Sequence, residues 1–304
     1  MQLTRKFDRK RFRQNIPLLI MFAPVVAFYL IFRYAPMGGL IIAFKDYNLF
    51  DGVLHSKWVG FDNFYKLFHS PNSLKIIRNT LILSALQIFV GFPFPIALAI
   101  LLNEARKMWF KKTVQTLVYL PHFYSWIIVG GIVVSIFGIE GSWLNHWITG
   151  LKGEPFPFLY TMQSWIAIFV GSSIWKEMGF SAIIYMAAMS TIDPSLYESA
   201  NIDGANKWRQ IVHITIPGIM PTIMLILILS MGRIMEVGFD QVYVLQNPAV
   251  KDIADVISTY IYRVGLQGAQ FSLTTAMGMF ESVVALILIV TVNGIARRFR
   301  QGLF

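Results

Sequence analysis

Six long runs free of charged residues, or nearly so, limit most strongly what this chain can fold into. Each has roughly the 20 residues that an α-helix needs to cross the hydrocarbon layer of a membrane. Only 14% of the 304 residues are charged and 56% are hydrophobic, whereas soluble domains carry about 25% charged residues. We therefore predict an all-α integral membrane protein with six transmembrane helices, over residues 16–34, 80–102, 113–137, 162–192, 217–237 and 273–296.

Lysine and arginine orient these spans, because basic residues favour the cytoplasmic loops of membrane proteins. A cytoplasmic N-terminus places the basic cluster with Arg5 and Lys6 inside, together with every short basic loop and Arg300. The predicted domains are a cytoplasmic tail over 1–15, a six-span membrane domain over 16–296 and a cytoplasmic tail over 297–304. The net charge of +10 is thus assigned to the membrane surface, and no nucleic acid partner is predicted.

Several chemistries are excluded by residue usage. The chain has no cysteine, so it has neither disulfides nor a cysteine nucleophile. The five histidines do not follow a metal-binding spacing, and no Gly-rich phosphate-binding loop precedes a Lys-Ser or Lys-Thr pair. We predict no catalytic residue, no metal site and no cofactor on this chain, which is not itself an enzyme.

A polar island interrupts the apolar runs at residues 193–217. Asp193 and Pro194 are typical of a helix start, because the carboxylate accepts from free N–H groups and proline has no N–H to leave unpaired. Gly204 can adopt a positive φ where a helix ends. We predict a first short helix before Gly204, a second through Trp208 and Ile211, and a new helix entered near Pro217.

Charged residues inside spans are costly and are functional candidates by default. If the fifth span is one helix, four side chains fall on one stripe, namely Arg233, Glu236, Asp240 and Tyr243. Either the stripe lines a path for a polar solute, or its members pair within the protein; the same two interpretations apply to Lys176, Glu177 and Glu281. We interpret Trp175, Phe180 and Tyr185 chiefly as packing residues, and Gly91, Pro93 and Pro95 predict a kink.

The polar island also resembles a known family. Glu198-Ser199-Ala200, Asp203-Gly204-Ala205 and the closing Ile214-Thr215-Ile216-Pro217 are similar to the EAA signature of permease subunits of binding-protein-dependent ABC importers. Ser199 and Ile216 depart from the usual Ala and Leu. Residues 58–64 resemble an outer-loop signature of maltose-type sugar permeases, and residues 34–47 resemble the branch that imports complex oligosaccharides.

The resemblance implies the type I permease fold, with residues 193–217 as the loop that couples to an ATPase. The implied coupling residues are Tyr197, Glu198, Ser199, Ala200, Asp203, Gly204 and Ala205, with Trp208 and Ile211 facing the permease body. It further implies a second homologous permease, two ATPase subunits that carry ATP and Mg²⁺, an extracellular solute-binding protein and a sugar substrate, with acidic oligosaccharides among the candidates. The location would be a bacterial cytoplasmic membrane.

Two rival functions remain on sequence grounds. A secondary transporter or channel complete in one chain could contain six spans and buried charges, although inverted repeats with broken helices would be expected. A membrane-embedded enzyme is the other rival. The lack of clustered histidines, cysteines or paired carboxylates disfavours it.

Overall fold

The computed structural model describes residues 9–298, which are largely helical. Up to residue 137 these residues form α1 (Arg9–Tyr29), β1 (Lys45–Asp46), α2 (Gly52–His55), β2 (Lys57–Trp58), α3 (Asp62–His69), α4 (Pro71–Gly91), α5 (Pro93–Glu104), α6 (Met108–Tyr119) and α7 (Trp126–Phe137). They continue with α8 (Trp143–Lys152), α9 (Met162–Met189), α10 (Pro194–Ile202), α11 (Lys207–Gln210), α12 (Ile216–Met231), α13 (Phe239–Leu245), α14 (Lys251–Ala254), α15 (Ile257–Tyr260) and α16 (Phe271–Arg298).

Five stretches of the described chain are long and apolar enough to cross a membrane as continuous helices: Asn15–Phe44, Pro71–Glu104, Met162–Met189, Lys207–Met231 and Phe271–Arg297. The pair formed by α6 and α7 supplies a sixth if it counts as one bent span. Each predicted apolar run therefore corresponds to one of these helices. The predicted tails lie partly outside the described residues, and Arg5, Lys6 and Arg300 fall there entirely.

The first two spans are longer than predicted. The first continues beyond residue 34 through a 3₁₀ segment, Ala35–Phe44. The second begins at Pro71 and not at residue 80, because proline fits the first turn of a helix. At the predicted kink the helix is interrupted only at Phe92, which keeps helical angles (φ −57°, ψ −39°).

The third span is not the continuous helix that we predicted over 113–137. After α6 a 3₁₀ turn, Leu120–Phe123, carries Pro121, and the chain then turns by 107° into α7. Ser125 begins α7, where its side chain accepts from the N–H of Ile128 at 3.4 Å. Hydropathy could not reveal this bend, because both arms are apolar.

The predicted continuation of the fifth span to residue 237 is also wrong. Helix α12 ends at Met231, and residues 232–238 are non-helical before α13 begins. Gly232 stands at this break in close contact with α16, since a Cβ built there would lie 2.6 Å from Cδ1 of Ile289. The four residues of the proposed stripe therefore do not share one helix.

Helix α9 lies at the centre of the packing. Trp165 and Phe169 are buried and stacked at 5.0 Å, and the indole N–H of Trp165 donates to the carbonyl of Leu245 at 2.8 Å. Gly130 lets α7 approach α13 closely, because a Cβ there would lie 2.1 Å from a methyl group of Val244. A small residue at this position thus permits close packing of the two helices.

A small hairpin covers the end of the first span. Lys45 pairs with Trp58 and Asp46 with Lys57 in the two antiparallel strands, and the ring of Phe44 stacks on Trp58 at 5.8 Å. Asn63 donates to the carbonyls of Ala43 and Lys45 at 2.9 and 3.0 Å. Residues 58–64, singled out in the sequence, thus pack against the end of the first span.

Candidate functional site

The polar island, residues 193–217, forms an ordered turn that we call the coupling loop. Asp193 caps α10 by accepting from the N–H of Ser195 at 2.9 Å. That hydrogen bond is the main cause that lowers the pKa of Asp193, and a hydrogen bond from the Ser195 hydroxyl lowers it further. The predicted start and end of the first short helix are therefore confirmed, because Gly204 adopts φ +75° directly after it.

The end of α10 is closed by a Schellman pattern of hydrogen bonds. The N–H of Ala205 donates to the carbonyl of Ala200 at 2.8 Å, and the N–H of Gly204 donates to that of Asn201 at 3.1 Å. These two bonds satisfy carbonyls that a helix end otherwise leaves free. No side chain lies within 4 Å of a Cβ built at Gly204, so the backbone angle, not space, requires glycine here.

Gln210 stabilises the coupling loop through hydrogen bonds of its side chain. Its side chain is buried, and its Nε2 donates to Oδ1 of Asn201 at 2.6 Å and to the carbonyl of Ala205 at 3.2 Å. Tyr197 is half-buried and bonds the Thr215 hydroxyl at 3.0 Å. Contacts from both ends of the loop therefore hold α10 in one orientation.

The predicted coupling residues separate into two groups by exposure. Tyr197, Ala200 and Ala205 are half-buried, whereas the others, Glu198, Ser199, Asp203 and Gly204, are exposed. Among the described residues Glu198 has no ion pair, while Ser199 donates to the carbonyl of Ser195 at 2.9 Å. The exposed group thus includes two carboxylates, those of Glu198 and Asp203.

Two expectations about the second half of the loop are wrong. No separate short helix forms, because α11, a π turn (Ile211–Thr215) and α12 run on as the single helix Lys207–Met231. Trp208 does not face the permease body, since it is 72% exposed in this chain. Ile211 is half-buried, as expected.

The break in the fifth span opens a cavity of about 330 Å³ beside a second of about 210 Å³. The two cavities share Gln87, Ile88, Ser173, Glu177 and Ser230. The polar or aromatic residues that line the larger one are Ser84, Gln87, Trp126, Ser173, Glu177, Ser230, Arg233, Glu236 and Gln241. We call the two cavities together the polar cleft. Non-helical backbone at membrane depth is tolerated where it lines such a cavity.

Three of the seven intramembrane candidates meet in the polar cleft: Glu177, Arg233 and Glu236. Asp240 and Tyr243 do not line it, although Gln241, on the same helix α13, does. Tyr243 instead stacks on Phe239 at 5.1 Å and contacts the Tyr262 ring at 5.6 Å. Glu281, half-buried on α16, does not line it either, although its carboxylate interacts electrostatically with Glu236.

Lys176 has a structural role in this arrangement. Its side chain is buried, and Nζ donates to the carbonyl of His122 at 2.7 Å, in the turn between α6 and α7. His122 in turn donates from Nδ1 to Oε2 of Glu177 at 2.9 Å and stacks on Phe180 at 4.0 Å. The bend of the third span is therefore tied to the cleft through Glu177.

Two glutamine side chains that line the polar cleft form a hydrogen-bonded amide pair. This pair was not predicted from the sequence. Nε2 of Gln87 donates to Oε1 of Gln241 at 2.8 Å, and Nε2 of Gln241 donates to the carbonyl of Phe169 at 2.7 Å. Ser84 is buried, and its hydroxyl has no partner among residues 9–298. Uncharged polar residues at i and i+3 within an apolar run were the available signal.

Two further ion pairs involve the residues that follow α13. Lys75 contacts Asp252, and this hydrogen bond lowers the pKa of the Asp252 carboxyl. Asp255 receives two hydrogen bonds from Arg263, at 3.0 and 2.6 Å, which raise the pKa of the guanidinium. Within the described part of the chain, no three His, Cys, Asp or Glu side chains could hold a metal together.

Comparison with known proteins agrees with this geometry. Residues 91–304 match the family described as "Binding-protein-dependent transport system inner membrane component". The polygalacturonan/rhamnogalacturonan transport system permease protein YteP of Bacillus subtilis (strain 168) is 43% identical over 288 residues, which cover 94% of this chain and 90% of that protein.

Two solved structures are similar over nearly the whole chain. One is a bacterial ABC transporter involved in the import of the acidic polysaccharide alginate, with a TM-score of 0.88 and 43% identity, covering 95% of this chain and 98% of that one. The other is a bacterial alginate ABC transporter in complex with an alginate pentasaccharide-bound periplasmic protein, with a TM-score of 0.88 and 42% identity, covering 96% and 98%. This chain is a multi-pass membrane protein with the type I permease fold, and it belongs to the family of binding-protein-dependent transport system inner membrane components, as the permease component of an ABC importer.

Proposed function

We propose that this permease forms half of the translocation path of an ATP-driven importer of oligosaccharides that carry acidic groups. Relatives of 42–43% identity include proteins named for polygalacturonan and rhamnogalacturonan and for alginate. Each of these names denotes a polysaccharide or its fragments. The observation that carries the proposal for this chain is the polar cleft at the break in the fifth span.

The cleft offers the groups that a sugar requires. Serine hydroxyls and glutamine amides donate and accept hydrogen bonds as sugar hydroxyls do, and carboxylates form the stronger, charge-assisted bonds. Trp126 supplies an aromatic wall. Arg233 provides the guanidinium that recognises a carboxylate bidentately. We infer that Arg233 binds uronate carboxylates, while Glu177 and Glu236 accept from hydroxyls.

The coupling loop would transmit the motion of an ATPase to the spans. Glu198 is exposed without an ion pair among the described residues and is suited to a basic group on that partner. Ser199, Asp203 and Gly204 would lie against the same surface. Because α11 is continuous with the fifth span, a displacement of the loop moves that span directly.

The complete assembly would contain a second homologous permease, two ATPase subunits that bind ATP and Mg²⁺, and an extracellular solute-binding protein. We place it in a bacterial cytoplasmic membrane with both termini and the coupling loop in the cytoplasm. The hairpin and the loops around Asp252 would then face the delivered sugar. Transport would proceed by alternating access, with ATP closing the ATPases and hydrolysis resetting the path.

The proposal is tested by reconstituting this chain in liposomes with the second permease, the ATPase and the solute-binding protein. We expect ATP-dependent uptake of an oligogalacturonate, and weaker uptake of the same chain length after its carboxyl groups have been reduced to alcohols. Omission of the ATPase or of the binding protein should abolish uptake. Substrate movement by this chain alone would instead establish the rival function, a transporter or channel complete in one chain.

A further inference from the structure

The connection between the second and third spans concentrates positive charge beside exposed aromatic rings. We call residues 105–112 the basic turn. They comprise the three residues between α5 and α6 and the first five residues of α6. They contain Arg106, Lys107, Lys111 and Lys112, of which only Lys111 is partly buried. None of these four cations has an ion pair in the described part of the chain.

Acidic groups that could balance this charge are engaged elsewhere or absent. The first turn of α6 contains no acidic residue. Glu104, next to the basic turn, pairs with Lys207 at 3.2 Å. On the opposite side of the chain, by contrast, two cations have carboxylate partners: Lys66 pairs with Asp62, and Lys75 pairs with Asp252. The basic turn therefore lacks a counter-charge within residues 9–298.

Apolar side chains in the basic turn are exposed as well. Met108 is 64%, Trp109 66% and Phe110 48% exposed, and the two rings meet edge to face at 6.1 Å. Leu101 and Leu117, on the flanking helices, are 69% and 64% exposed. The turn is thus continuous with the apolar surface that the spans present to lipid. Tryptophan favours the layer between hydrocarbon and water.

We propose that the basic turn is a binding site for anionic phospholipid headgroups in the leaflet on the coupling-loop side. Clustered lysine and arginine next to a span attract anionic lipids electrostatically, while interfacial aromatic and apolar residues anchor such a segment at the headgroup level. The positive-inside rule accounts for basic residues on one side. It does not account for the unpartnered cations interleaved with exposed rings.

The site is joined to the coupling loop. The Lys207–Glu104 pair links the first residue of α11 to the last residue of α5, directly before the basic turn. A headgroup held by Arg106 and Lys107 would steady this junction. Sugar-stimulated ATP hydrolysis by the assembled transporter should consequently be higher in membranes that contain phosphatidylglycerol than in phosphatidylcholine alone.

Photoactivatable phosphatidylglycerol in nanodiscs with the assembled transporter provides the test, with adducts located by peptide mass spectrometry. We expect adducts within residues 101–117 and few with the matching phosphatidylcholine probe. Lys111→Gln together with Lys112→Gln should weaken labelling by roughly tenfold or more, because each cation near an anionic surface contributes separately. Trp109→Ala should lower labelling by both probes alike.

The matched control is Lys57→Gln with Lys251→Gln, which removes two exposed charges from the opposite side of the chain and should leave labelling unchanged. Equal labelling by the two probes, or unchanged labelling in the Lys111 and Lys112 variant, would overturn the proposal. So would crosslinks from residues 105–112 to another subunit in place of lipid. Labelling does not depend on which sugar is carried.

Discussion

The coupling loop and the polar cleft differ in how far along the chain their contacts reach. Hydrogen bonds that shape the loop join residues 9 and 18 positions apart, as in Gln210 with Asn201 and Tyr197 with Thr215. In the cleft, Gln87 and Gln241 are 154 positions apart, and Gln241 and Phe169 are 72 apart. The loop is therefore a locally determined object, whereas the cleft exists only when several helices have packed.

Because of this difference, we expect substitutions in the two regions to affect different functions. A change in the loop should alter the transmission of force while the sugar path stays intact. A change in the cleft should alter recognition while the loop keeps its shape. Substitutions in each region, and one titration, test that division.

Arg233→Gln in the polar cleft should have the largest effect. Loss of a charge-assisted hydrogen bond costs about 1.5–3 kcal/mol, or roughly a 10- to 150-fold rise in the half-saturating concentration of an acidic oligosaccharide. ATP-driven uptake in liposomes measures this rise. Asp240→Asn, which lies outside the cleft, is the matched control and should change uptake by less than about twofold.

If uptake fell equally in the Arg233 and Asp240 variants, both residues would line the sugar path. That result would favour the single stripe predicted for a continuous fifth span. Unchanged uptake in Arg233→Gln at every substrate concentration would remove Arg233 from the path. In either variant, basal ATP hydrolysis should remain at the wild-type level, since neither residue contacts the coupling loop.

Gly204→Leu in the coupling loop should have the next largest effect. A leucine at φ +75° is strained by about 1–2 kcal/mol, which corresponds to roughly a 5- to 30-fold loss of the correctly shaped loop. Sugar-stimulated ATP hydrolysis should fall accordingly, with normal insertion into the membrane. Gly204→Asn is the control, because asparagine tolerates this conformation; normal coupled hydrolysis in the leucine variant would contradict the coupling role.

Gln210→Leu should loosen the loop without changing the polar cleft. The variant removes both hydrogen bonds of Nε2, at a net cost of about 1 kcal/mol. Amide hydrogens of α10 should then exchange about fivefold faster, as measured by mass spectrometry. Faster exchange that spread to α4 and α9 would show that the loop and the cleft are not independent.

The smallest effect should come from titration of Asp193. Because its pKa is lowered in the folded loop, its cap stabilises α10 fully above the ordinary value of 3.8 and is lost as the pH falls through the lowered value. The Ser195 amide resonance should titrate with a midpoint below 3.8. Asp193→Asn keeps the cap without the titration; a wild-type midpoint at or above 3.8 would contradict the cap.

The accuracy of the sequence-based predictions follows the same division. Asp193, Pro194 and Gly204 act on their immediate neighbours, so the start and end of α10 could be predicted from residue types alone. Arg233 and Tyr243 were placed together only by assuming that a helix continued through Gly232 and Gly238. Gln87, Ser84 and Gln241 gave a weak signal, since uncharged polar residues do not interrupt hydropathy.

Residue types alone predicted that this chain crosses a membrane, which runs do so, and where the polar island of residues 193–217 lies, because apolar length and helix-capping chemistry are local properties. Only the tertiary structure decided that the third span bends by 107° and that the fifth stops at Met231. It also decided which charges meet in the polar cleft. The reason is physical: a helix break within membrane depth becomes stable only when packed neighbours or a cavity satisfy the freed backbone groups, and a sequence read segment by segment does not contain those neighbours.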